Sequence, residues 1–344
     1  MHRIVIHRPG GYDRLRLEQH PDPHPGTGEV AVEVEAIGVN YADVIVRMGL
    51  YASARQYVGW PVTPGFELAG QVVELGPGVR RFRAGQSVFG LTRFGAYASR
   101  VVLPEQQLFV RPPSLTAVQA ASFPTVFLTA HHALFELARP AAGDSVLVHS
   151  AAGGVGSALV QLARGAGLIV HAVVGASHKI PAARLAGAHE VIDTSRGDLW
   201  SEVERLSLGR GYAAVFDANG VSTLRQSYRH LRPTGRLVVY GFHSMVPRTG
   251  GRPGWLRLAW DYLRTPRFNP LQMTQHNRSV MAFNLSYLFD RVDLLQAAMS
   301  DLLARLRAQQ IRPLPLTTYP LAQVARAHRD LESGQTVGKL VLLP

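Results

Sequence analysis

The chain has 344 residues, 47% of them hydrophobic, enough to bury a large core and to favour two domains over one. It contains no cysteine, which excludes disulfides, thiolate metal sites and a cysteine nucleophile. The 36 basic residues against 24 acidic ones give a net charge of +12, but the bases are scattered without zinc-finger spacing, an aromatic ribonucleoprotein signature or a lysine-rich arm, so no nucleic-acid partner is expected.

The first residues, "MHRIVIHRPGGYDR", hold too short an apolar stretch for a secretory signal, and no later run reaches the roughly 18 residues of a membrane span, so a cytoplasmic location is expected. "RIVIHRP", "EVAVEVEAIGV", "ELAGQVVELGPGV" and "SVFGL" then alternate apolar and polar residues between Gly and Pro, which predicts an antiparallel β domain. From about Thr116 strands alternate with helices, the pattern of a parallel sheet with crossover helices. The predicted strands are Ser145 to His149, Ile169 to Gly175, Glu190 to Asp193, Ala213 to Asp217, Arg236 to Tyr240 and Val280 to Phe283. An amphipathic helix follows from about Val292 to Gln310, and "TVGKLVLLP" forms a last strand that returns to the β domain. The fold class expected is α/β: a doubly wound parallel-sheet (Rossmann) nucleotide domain inserted into a mainly antiparallel β domain, over residues 1–122, 123–284 and 285–344. An edge strand in the nucleotide domain makes a homodimer the expected assembly.

"VLVHSAAGGVGSALVQLARGAG" places a glycine turn, Ala152, Gly153, Gly154, Val155 and Gly156, between a buried strand and a helix. It is a variant of the dinucleotide fingerprint: Gly153 admits the pyrophosphate, Gly156 lets helix and strand pack closely, and the helix N-terminus offers N–H groups to the phosphates. Sites that select NAD place an acid about twenty residues on, at the end of the second strand. Here stand Gly175, Ala176, Ser177, His178 and Lys179. A serine hydroxyl and an ammonium suit a 2'-phosphate, so NADPH is the expected cofactor. Lys179 and Lys339 are the chain's only lysines, which argues that each sits where a compact ammonium matters.

The segments "AIGVNYADVIVRMGLY", "PVTPGFELAGQVVELGPGV", "AAGGVG" and "VFDANG" resemble the quinone oxidoreductases of the medium-chain dehydrogenase/reductase superfamily, and "NPLQMTQHNRSVMAFNLSYL" is similar to the vesicle amine transport protein homologues within it. The resemblance spans essentially the whole chain and implies a GroES-like β domain. Zinc-dependent relatives carry a ligand cysteine where this chain has Asn40 and a ligand histidine where it has Phe66; Glu67 alone does not hold zinc, so no zinc is expected. His131 and His132 are adjacent and diverge on a helix, which argues against a shared metal.

Carried over residue by residue, the resemblance implies that Asn40 faces the nicotinamide or a substrate carbonyl, unless it only closes a turn. Thr129 sits beside the nicotinamide or bonds back to its own helix. Asn219, Gly241 and Phe242 end strands where such sheets bind ligands, and Asn284 could hold the carboxamide. Many relatives stack a tyrosine near the 2'-phosphate, where this chain has Thr194.

Without a metal to polarise a carbonyl, the expected reaction is hydride delivery from NADPH to a small molecule already poor in electrons, a quinone or an enone. Asn40 would orient the developing oxyanion, and Tyr51, Tyr41 or water would supply the proton. The rival reading is an NADPH-binding sensor or membrane-associated adaptor with little turnover. In "PGWLRLAWDYLRTPRF", Trp255, Leu256, Ala259, Trp260 and Leu263 share a helical face. That face either packs over the cleft or a subunit contact or, less favoured, lies on a membrane as a basic amphipathic helix.

Overall fold

The computed structural model describes residues 1–246 and 250–344. In the N-terminal part the strands are β1 (His2–Val5), β2 (Arg16–Gln19), β3 (Glu29–Val39), β4 (Glu67–Leu75), β5 (Ser87–Leu91), β6 (Arg100–Pro104) and β7 (Leu108–Val110). Two short helices, α1 (Tyr41–Arg47) and α2 (Ala52–Tyr57), fill the connection from β3 to β4. β3 anchors the sheet because its alternating valines, Val30, Val32 and Val34, all reach the core while Glu33 stays outside.

After α3 (Ala117–Ala121) and α4 (Pro124–His131) come β8 (Ser145–Val148), α5 (Gly154–Gly165), β9 (Ile169–Val174), α6 (Ile180–Ala186), β10 (Glu190–Asp193), α7 (Leu199–Ser207), β11 (Tyr212–Asp217), α8 (Leu224–Arg229) and β12 (Leu231–Val239). Then follow α9 (Trp255–Arg264), α10 (Pro270–His276) and β13 (Ser279–Ala282). Among the described residues these six strands form one parallel sheet in the order β10-β9-β8-β11-β12-β13. The order reverses between β8 and β11, which opens a crevice at their carboxyl ends, where doubly wound sheets bind ligands.

The chain closes through α11 (Val292–Arg307), β14 (Leu316–Pro320), α12 (Val324–Glu332) and β15 (Lys339–Leu343). Leu295, Ala298, Met299, Leu302 and Leu306 make the buried stripe of α11, at the three- and four-residue spacing of an amphipathic helix. β15 runs antiparallel to β3, Leu340 opposite Val39, so the last strand does return to the β sheet. The order there is β14-β15-β3-β4-β5-β7, with β6 on β3.

A buried ion pair joins distant elements. Arg47 of α1 places Nη1 2.8 Å from Glu332 Oε1 of α12, both side chains fully buried, and its Nη2 donates to the Gly251 carbonyl at 3.0 Å. His328 Nε2 meets the Tyr97 hydroxyl at 3.2 Å beside it.

The tryptophan-rich face does not pack over this chain's own cleft. Leu256 is 91% exposed and Trp255 66%, and Trp260 and Leu263 are open as well. α9 touches chiefly the short turn His243–Met245, so one edge of the helix docks while its apolar face is left open.

Candidate active site

β8 delivers the chain into the glycine turn, and Gly153 stands as the N-cap of α5 with no side chain to cap it. The first N–H groups of the helix therefore remain for a phosphate. A Cβ on Gly156 would lie 2.2 Å from the Ser150 carbonyl oxygen, so only glycine lets helix and strand approach this closely. Ser150 donates from Oγ to Asn219 Oδ1 at 3.0 Å, and the Asn219 N–H donates to the buried Asp217 at 2.8 Å, which fixes the loop after β11 beside the turn.

At the far end of the turn Gly175 leaves open space. Ser177 donates to Asp193 Oδ2, and Arg196 reaches over both, its Nε 2.9 Å from Ser177 Oγ. The Ser177 and Ser195 hydroxyls hold the Asp193 carboxyl below the usual range. Lys179 donates to the Gly334 carbonyl, and His178 meets the Gln335 carbonyl at 2.9 Å. Thr194 turns its hydroxyl back onto the Val174 carbonyl at 3.3 Å. Arg196 is the feature the sequence did not single out.

At the other end, Asn40 is the N-cap of α1, and its N–H donates to Asp43 Oδ2 at 2.8 Å. Its side chain is committed at both ends: Nδ2 donates to Glu67 Oε1 at 2.9 Å, and Oδ1 accepts from Lys339 Nζ. Lys339 also pairs with Glu67 Oε1 at 2.7 Å, and Glu67 Oε2 takes the Thr125 N–H at 2.8 Å. Lys339 is only 4% exposed. Asp43, sealed beneath, is pushed up to about 7 by desolvation, against the N–H groups of Asn40 and Gly65 that favour its charged form.

Tyr51 donates to Asn284 Oδ1 at 2.9 Å, a bond from the β domain to the end of the parallel sheet that makes one cleft of two parts. Burial raises the Tyr51 phenol above its ordinary value, so it stays protonated at neutral pH. Tyr41 places its ring 4.1 Å from that of His243, which follows Gly241 and Phe242 at the end of β12. Desolvation pulls His243 down to about 4, so the ring is neutral. Thr129 is buried and donates from Oγ1 to the Thr125 carbonyl at 2.7 Å, the helix back-bond.

The last segment of the chain runs the length of this cleft. Gly334 and Gln335 meet Lys179 and His178; the Gly338 N–H donates to the Ala152 carbonyl at 2.8 Å; Lys339 then enters the pocket of Asn40 and Glu67. Gly338 has φ of 69°, and a Cβ there would strike the Pro315 carbonyl at 2.1 Å, so the crossing demands glycine.

A family model described as zinc-binding dehydrogenase matches residues 186–342, and one described as alcohol dehydrogenase GroES-like domain matches residues 26–113. The synaptic vesicle membrane protein VAT-1 homolog of Rattus norvegicus is 34% identical over 343 residues, covering 99% of this chain and 83% of that protein. The 2-haloacrylate reductase of Burkholderia sp is 33% identical over 348 residues, covering 99% and 98%. Among solved structures, Escherichia coli quinone oxidoreductase complexed with NADPH superposes with a TM-score of 0.86 at 28% identity over 100% of both chains. A mycobacterial protein complexed with NADPH gives 0.86 at 31%, again over 100% of both.

Zinc does not fit the residues present. Asn40 and Phe66 stand at the ligand positions, and the ammonium of Lys339 is seated between Asn40 and Glu67. Among the described residues no group of three or more His, Asp or Glu converges as a metal site. Whole-length likeness, the shared fold and this replaced metal site together show that the chain belongs to the medium-chain dehydrogenase/reductases, in their zinc-independent, quinone oxidoreductase-like branch.

Proposed function

We propose that the chain is an NADPH-dependent, zinc-free reductase that delivers hydride to a quinone or another electron-poor carbonyl or enone. The bond from Tyr51 to Asn284 carries the reading, because it joins a hydrogen-bonding side chain of the β domain to one that follows the last strand of the parallel sheet. The NADPH complexes of the E. coli and mycobacterial relatives support the choice of cofactor.

Bound NADPH would supply the hydride. The N–H groups of Gly154 and Val155 would hold its pyrophosphate, and Ser177, Lys179 and Arg196 would hold its 2'-phosphate. Asn40 donates to the acceptor's oxygen as negative charge builds on it, and Tyr51, kept protonated by burial, gives up the proton that completes the reduction. An acceptor that is already electron-poor needs positioning and one good donor rather than a Lewis acid.

Calorimetry with NADPH and with NADH, followed by addition of phenanthrenequinone, tests the reading. NADPH should bind at least about tenfold more tightly, as one charge-assisted contact to the 2'-phosphate requires, and should be consumed only when the quinone is present. Tight binding without turnover would favour the sensor or adaptor instead. Tyr51→Phe should lower kcat by at least about tenfold; an unchanged rate would remove Tyr51 as the acid.

A further inference from the structure

We propose that Lys339 is a positioning residue for the reduction: its ammonium locks the Asn40 side-chain amide in the one orientation that keeps an N–H available to the acceptor. The inference rests on the reading of Asn40 given above and adds a residue, from the last strand, to which no role has been assigned.

The geometry is a closed three-membered arrangement. Lys339 donates to Asn40 Oδ1, Asn40 Nδ2 donates to Glu67 Oε1, and Lys339 pairs with that same Oε1 at 2.7 Å. An amide rotated by half a turn would aim its NH2 at the ammonium and its carbonyl at the carboxylate, two like-with-like contacts in a buried site. One Nδ2 hydrogen is spent on Glu67, so one is left to offer. A cation on Oδ1 also draws electron density toward the oxygen, which makes the remaining N–H a stronger donor and stiffens the amide C–N bond.

The cost of the arrangement argues that it is used. Lys339 and Glu67 are both more than nine-tenths buried, and a buried ion pair is seldom more stable than apolar residues of similar size. Arginine outnumbers lysine throughout this chain, yet here a compact ammonium is kept, where a guanidinium fork is too broad to sit between two acceptors. The Gly338 N–H on Ala152 sets Lys339 at a fixed distance from the glycine turn, so the lysine reports the cofactor cradle to the substrate side of the cleft.

Lys339→Met alone strands a buried carboxylate and can fail to fold, so the decisive protein is Glu67→Gln/Lys339→Met, which removes both charges and keeps an acceptor for Asn40 Nδ2. The expected result is NADPH affinity within about threefold of wild type and KM for phenanthrenequinone changed by less than about threefold, with kcat down at least about tenfold, the loss of one oriented donor. A second readout needs neither cofactor nor substrate. The two side-chain amide proton resonances of Asn40, assigned by their loss in Asn40→Ser, should be well separated and slow to interchange in the wild type. In the double variant they should converge and interchange faster. Unchanged kcat, or unchanged amide resonances, would overturn the proposal. If the wild type itself fails to reduce the quinone, the functional reading falls and the amide resonances alone decide the role of Lys339.

Discussion

At the scale of single residues, the turn after β10 sets a hydroxyl, a carboxylate and a guanidinium against one another. The Thr194 hydroxyl is spent on the Val174 carbonyl. Arg196, two residues on, lies over Ser177 and 3.7 Å from Asp193 Oδ2, so its charge offsets the carboxylate that would repel a 2'-phosphate. Arg196→Gln should weaken NADPH by about tenfold and leave NADH unchanged in parallel calorimetric titrations, since a charge-assisted contact to phosphate is worth about 1.5 kcal/mol. The glycine turn was legible in the sequence because its requirements are local: strand, glycines and helix lie within one run of chain. The roles of Arg196 and Lys339 were not, because their meaning comes from partners that only folding brings near. The rarity of lysine was the one signal that pointed at Lys339.

At the scale of elements, the parallel strands read from apolar runs between turn residues stand within one residue of their predicted bounds except β12, which begins at Leu231 rather than Arg236, and the helix of α11 ends three residues early. The short helices α1 and α2 were hidden, since six or seven residues show too little periodicity to distinguish helix from loop. α1 nevertheless carries two of the molecule's buried attachments, Asn40 at its start and Arg47 at its end. Arg47→Met should leave Glu332 buried without its partner and lower stability by about 3–5 kcal/mol, read as a fall in denaturant midpoint. Pairing it with Glu332→Gln should restore most of the loss, because no bare charge remains. The face of α9 was read correctly as apolar, but its burial could not be inferred: periodicity locates a stripe and does not say what covers it.

For the whole molecule, the presence of one antiparallel and one parallel sheet followed from the sequence once the change of pattern near Thr116 and the returning last strand were recognised, while the order of the strands and the way the parts grip each other did not. Histidines kept neutral by burial lie in both parts, and one of them, His243, crosses between them against Tyr41. Desolvation lowers His149, His243 and His328, His243 to about 4, whereas an unfolded histidine titrates near 6.5. Between those values an unfolded His243 takes up a proton that the folded ring refuses, so its contribution is fully present above about pH 6.5 and is lost as the pH falls toward about 4, and the lowered His149 and His328 act in the same sense. Asp43, raised to about 7 from 3.8, acts in the opposite sense, holding a proton when folded that it loses when unfolded. Several histidines outweigh one carboxyl, so the melting temperature should fall on acidification through that window, and Asp43→Asn should steepen the fall.

The pairing of β15 with β3 has a further consequence, in time rather than in space. The sheet of the β part is completed only by a strand made hundreds of residues after its neighbour. Such long-range contacts carry a high loop-closure cost and slow folding. The nucleotide sheet, with its strands and crossovers in nearly consecutive order, is then the first part able to fold, and the cleft that joins both parts is the last thing the chain acquires.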